Sequence, residues 1–183
     1  MRPSAAPIAP SVVERLFRKA GAERWEVTLD EFAARLADSA RHSLAETAGP
    51  REVERYLEGL HLADLALATA CALGRDAAWD HFIREHRPIL YRAADALDPN
   101  GGAREMADSL YAELYGIEER DGSRRSLFRY FHGRSSLATW LRAVLAQRHV
   151  DAIRSGARLD PLPVDERAIA AAPIPASDPD RAS

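Results

Sequence analysis

The chain of 183 residues contains a single cysteine, Cys71, and a single lysine, Lys19. One cysteine excludes an intramolecular disulfide framework and any cysteine-rich zinc module. The β-branched residues Val, Ile and Thr number 18 against 35 alanines, a balance that disfavours sandwiches and barrels and favours helices. No apolar run approaches the ~18 residues that a membrane span needs. Residues 1–10 include one arginine but no hydrophobic signal core, so a cytoplasmic location is expected. There is no glycine-rich phosphate loop and no Gly-x-Ser-x-Gly, and no carboxylate pair stands in an acid/base setting. A non-enzyme without a cofactor is therefore expected. Hydrophobic residues at 46% and charged residues at 29% are ordinary for a folded domain.

The helical signals are spaced along the whole chain. Ser11 with Glu14 and Thr28 with Glu31 form candidate capping boxes. After the second, Phe32, Leu36 and Ala40 make an apolar stripe, ended by Gly49-Pro50. Periodicity predicts one helix over residues 51–73, another over 76–97 and a third over 103–115. Residues 116–126, with two glycines and six charges, are expected to form a loop. Ser135 or Ser136 can cap a last helix in which Leu137, Trp140, Leu141 and Val144 follow helical spacing. From Leu159 onward five prolines accompany small and acidic residues, the composition of a disordered linker or tail. Three parts are expected: an N-terminal helical extension over 1–60, a central helical domain over 61–158, and the tail over 159–183.

His81 and His86 resemble a zinc-protease pair only superficially. Five residues apart is about 140° around a helix, so the two do not share a face. No metal site is expected. Cys71, among Ala, Leu and Thr, is expected to be a packing residue.

Charge is partitioned. Residues 1–123 carry 15 basic and 22 acidic side chains, whereas residues 124–158 carry eight arginines and one acid, Asp151. Such a block makes a local positive potential suited to polyphosphates. It is also aromatic, with Phe128, Tyr130, Phe131 and Trp140 interleaved among Arg129, Arg134 and Arg142, and with His132 beside them. Cations that track phosphates and rings that stack unpaired bases are the chemistry of single-strand nucleic-acid binding. Set against this, Phe128, Phe131 and Trp140 are equally suited to a small helical core. Trp140 lies on the apolar stripe and is expected inside.

Within this block, the run from Ser135-Ser136-Leu137-Ala138-Thr139-Trp140-Leu141 through Val150-Asp151-Ala152-Ile153-Arg154 resembles the second conserved region of bacterial RNA polymerase sigma factors. The nearest type is the extracytoplasmic-function group. Gly74–Trp79 and Ala103–Tyr111 resemble two upstream helices of that region, in the same order and spacing.

The resemblance implies an all-α bundle of the sigma second-region type. It implies two partners: core RNA polymerase, through the clamp helices of its largest subunit, and promoter DNA at the minus-ten element. An anti-sigma protein would be a third. Glu105, Met106, Asp108, Ser109 and Tyr111 would face the polymerase. Arg129, Arg134, Arg142, Arg148 and Arg154 would contact DNA phosphates. Tyr130, Phe131 and His132 would lie near opened bases, with Ser136 and Gln147 as base-edge readers. The sequence departs from the family pattern in several respects. Arg104-Glu105 stands where Glu-Asp is usual, Asp108 stands where Gln is common, Gln147 replaces Asn, and about ten extra residues precede Trp140, near Gly116–Arg125. The family's helix-turn-helix domain has no counterpart within these residues. The alternative is a helical module that binds single strands or proteins without binding the polymerase.

Overall fold

The computed structural model describes residues 6–156; the tail expected over 159–183 lies outside them. Seven α-helices carry the described residues: α1 (Pro10–Ala20), α2 (Leu29–Ser43), α3 (Pro50–Glu58), α4 (Leu62–Ala72), α5 (Asp76–Leu97), α6 (Gly102–Tyr115) and α7 (Leu137–Arg154). Two 3-10 turns, Ala22–Trp25 and Leu127–Tyr130, and a short hairpin of β1 (Ile117–Glu118) and β2 (Arg124–Arg125) complete them. The chain is all-α, as its composition indicated. No described helix is long and apolar enough to cross a membrane.

Helix α4 is the axis of the packing. It is apolar on every side and buries Leu62 and the whole run Leu65–Cys71, as a helix enclosed by neighbours must. It touches α1, α2, α5, α6, α7 and both 3-10 turns. The core is continuous from Val12 to Leu145, so helices on both sides of residue 60 contribute to it. Cys71 lies in this core at 1% exposure, and burial pushes its thiol up to about 12. It packs and does not act as a nucleophile.

Local structure differs from expectation in three places. The helix expected over 51–73 is two helices, because the chain turns at Gly59–His61 and each half faces a different neighbour. Helix α1 starts at Pro10 with no side-chain cap, so Ser11 and Glu14 form no box; a proline suits the first turn because its missing N–H would be unpaired there. Residues 116–126 are not a plain loop. Asp121-Gly122 makes a tight turn, with Gly122 at φ +81°, that pairs Ile117 with Arg125 and Glu118 with Arg124. Gly116 lets the hairpin leave α6, since a Cβ there would meet the Arg125 carbonyl oxygen at 2.5 Å. The Thr28–Glu31 box is present, and α5 begins and ends at the expected residues.

Candidate nucleic-acid interface

The segment between the 3-10 turn and α7 is held by side chains and backbone from the N-terminal half. Arg35 of α2 donates through Nη1 to the Arg129 carbonyl at 2.9 Å. Through Nη2 it reaches the carbonyls of Phe128 at 3.2 Å and Phe131 at 2.5 Å. Ser39 Oγ donates to the His132 carbonyl at 2.8 Å, and the Tyr56 hydroxyl lies 2.8 Å from Ser39 Oγ and from Ser43 Oγ. From the start of α4, the His61 N–H donates to the Gly133 carbonyl at 2.7 Å, and Asp64 Oδ2 accepts the Leu137 N–H at 2.8 Å. Gly133 sits at φ +78° and passes so close to α4 that a Cβ would lie 3.5 Å from Leu65. Six backbone groups of 128–137 are thus fixed by α2 and by the start of α4.

The aromatic residues divide. Phe128 and Phe131 are 0% and 1% exposed, and Trp140 is 8% exposed. Their rings pack against one another and Phe82, with Phe131 tilted against Trp140 at 5.5 Å and Phe82 edge-on to Phe128 at 4.9 Å. Phe131 was expected near opened bases; it is a core residue, because its ring gains more from this cluster than from water. His132 is half-buried and already stacked on His42 at 4.3 Å. Tyr130 also keeps a partly exposed ring. It lines a groove of about 530 Å³ together with Glu113, Ile117, Arg125 and Leu127, and Arg129 lies over its face at 5.6 Å.

The arginines divide too. Arg129, Arg134, Arg142 and Arg154 are exposed and make no ion pair among the described residues. Arg148 is instead bound by both Nη atoms to Glu113 of α6, each at 2.6 Å. The physical reason is helical phase. Residues 142, 148 and 154 are spaced by six, so each lies about 120° from the other two. Position 148 falls on the inward face shared with Leu137, Leu141 and Val144. The three do not form one row on α7.

Ser136 caps α7, accepting the Thr139 N–H at 3.2 Å and donating to Thr139 Oγ1 at 2.9 Å. Gln147 donates to Asp151 Oδ1 at 2.9 Å. Both expected base-edge readers thus make side-chain hydrogen bonds at or within α7.

On α6, Ala103, Ala107, Leu110 and Leu114 face inward. Glu105, Asp108 and Ser109 lie on the exposed side at helical spacing, and Ser109 Oγ donates back to the Glu105 carbonyl. Asp108 accepts the Tyr91 hydroxyl at 2.5 Å, and Arg87 and Arg104 lie over the Tyr91 ring at 5.3 and 5.2 Å. Met106 and Tyr111 are half-buried; desolvation raises the Tyr111 hydroxyl well above the usual phenol range.

Sequence reasoning missed Arg35, Ser39 and His42. They follow i, i+4, i+7 on α2, beside the apolar stripe. That polar stripe was the available signal.

Burial, and then the charges of His42, Arg35 and Arg134, push His132 down to about 4. The unfolded imidazole titrates near 6.5. Between those values the unfolded chain binds a proton that the folded chain refuses, so stability falls as pH drops from about 6.5 to about 4. The expected loss is about 2 kcal/mol after discounting for the ring's partial exposure. His86, also lowered by burial, acts in the same direction. Denaturant midpoints between pH 4.5 and 7.5 should show this slope, and His132→Gln should flatten part of it. An unchanged slope in the variant would assign the effect elsewhere.

No family model, curated protein or solved structure matches the chain.

Proposed function

We propose that this chain is a promoter-recognition factor of the extracytoplasmic-function sigma type, a non-catalytic subunit that binds core RNA polymerase and minus-ten promoter DNA. The observation that carries the reading is the set Arg129, Arg134 and Arg142. All three are exposed and make no ion pair among the described residues, and the first two ride on a segment fixed at six backbone positions. A fixed cationic segment meets phosphates with little loss of conformational freedom. The motif order across residues 74–154 supports the specific sigma assignment. The outward face of α6, with Glu105 and Asp108, is the surface offered to the polymerase.

The alternative is a nucleic-acid or protein-binding module without polymerase. It draws on Asp108, whose carboxylate already accepts the Tyr91 hydroxyl. Capture of the full chain on immobilised core polymerase separates the two. Retention is expected, together with at least a tenfold loss in Glu105→Lys/Asp108→Lys, about the size of a pair of reversed charges at an interface. No retention of the wild-type chain sinks the sigma reading. Oligonucleotide binding that a scrambled sequence competes for equally well favours the alternative.

A further inference from the structure

Helix α2 does more than hold the segment 128–137. Arg35 has no carboxylate partner among the described residues. Its Nη atoms are spent on carbonyl oxygens, and its Nε is buried with no acceptor. Burial and the charge of Arg129 draw its guanidinium below the usual arginine range, though it stays charged at neutral pH. In the segment that Arg35 holds, His132 stacks on His42 at an interplanar angle of 19°, and His132 Nδ1 is buried with no partner. The charged groups acting on His132 are His42, Arg35 and Arg134, all of one sign. Among the described residues no carboxylate acts on His132. On α2, Asp38 pairs with Arg41; from α3 the facing group is Tyr56; at the start of α4, Asp64 accepts the Leu137 N–H, beside His61.

Basic groups from two distant segments therefore converge without a carboxylate among them. Gathering like charges in a partly desolvated place costs free energy, and an anion recovers it. Guanidinium forks and imidazoles are suited to phosphate oxygens.

We propose that Arg129, Arg134, His42 and His132, backed by Arg35, form a phosphodiester subsite, so that α2 supplies part of the nucleic-acid surface. The proposal rests on the nucleic-acid reading above and adds the N-terminal helices to it. Arg129, Arg134 and His42 are the exposed members and meet the phosphate. Arg35 is a positioning residue: it fixes the carbonyls beneath them and adds its charge. A bound anion favours protonation of the histidine pair, which links binding to pH.

The test is NMR of the histidine ring signals in the full chain, assigned with His42→Asn and His132→Gln. The probes are inorganic phosphate and a single-stranded oligonucleotide of about twelve nucleotides. Both probes are expected to move the His42 and His132 signals and to raise the His132 titration midpoint, by about one pH unit for one added charge. His42→Asn and Arg35→Gln should each weaken oligonucleotide binding severalfold, and Arg35→Lys should restore part of it. If Arg35→Gln fails to fold, His42→Asn and the wild-type titration decide. Oligonucleotide binding with both rings unmoved overturns the subsite and leaves the nucleic-acid reading standing. Rings that respond to phosphate in a chain that binds no oligonucleotide overturn that reading and the phosphodiester assignment with it. Rings unmoved by either probe overturn the subsite.

Discussion

Phe128→Ala is expected to lower the stability of this protein by about 3–5 kcal/mol, the range for emptying a fully buried aromatic site. Phe128 is 0% exposed. Its ring meets Phe82 edge-on at 4.9 Å, Trp79 edge-on at 6.4 Å and Trp140 stacked at 6.4 Å. Its backbone is held at both ends, the N–H by Ser126 Oγ and the carbonyl by Arg35. The surrounding rings sit on α5 and α7 and cannot all collapse into one void. Few domains tolerate a loss of this size, since total stabilities are commonly 5–15 kcal/mol. Tyr130→Ala, at the edge of the same cluster, should cost about 1 kcal/mol because its ring is only partly buried. Denaturant unfolding of both variants measures the difference. Equal and small losses would mean that the Phe128 ring does not pack as described.

This contrast also marks what the amino-acid sequence could convey. Helix α5 was legible because Asp98-Pro99-Asn100-Gly101-Gly102 stops it and its apolar residues keep strict spacing. The cap at Ser136 was legible for a similar local reason. The division of Phe128, Tyr130 and Phe131 was not. In a 3-10 turn the side chains point by tertiary fit, and nothing within four residues tells an inward ring from an outward one. Arg148 illustrates the other limit. The family resemblance put it among phosphate-binding arginines, while its phase on α7 turned it toward Glu113, a residue 35 positions away. Charge counts survive folding; their direction is decided by helical phase and by the neighbour across the interface. The polar stripe of Arg35, Ser39 and His42 was visible, but what Arg35 clamps was not, because its acceptors are carbonyls of a segment more than 90 positions away.

That same difference between arginines yields the other large effect. Arg129→Ala/Arg134→Ala/Arg142→Ala is expected to weaken single-strand binding about a hundredfold at ~0.1 M salt. The estimate follows from counterion release: each phosphate contact on a single strand contributes about 0.7 to the slope of log K against log salt. Three lost contacts lower the slope by about 2, which at ~0.1 M relative to 1 M is about two orders of magnitude. Arg148→Ala removes the same formal charge and should behave differently. Its guanidinium is committed to Glu113 at 2.6 Å, so the salt slope should stay near the wild-type value. Stability should fall instead by about 1 kcal/mol, as expected for a partly exposed bidentate pair. Binding measured at four or five salt concentrations, with thermal unfolding alongside, separates the two. If Arg148→Ala lowers the slope as much as any one of the exposed arginines, DNA reads only the overall positive potential of residues 124–158. The fixed segment would then have no special part in binding, because a diffuse field depends on charge number and hardly on which arginine supplies it.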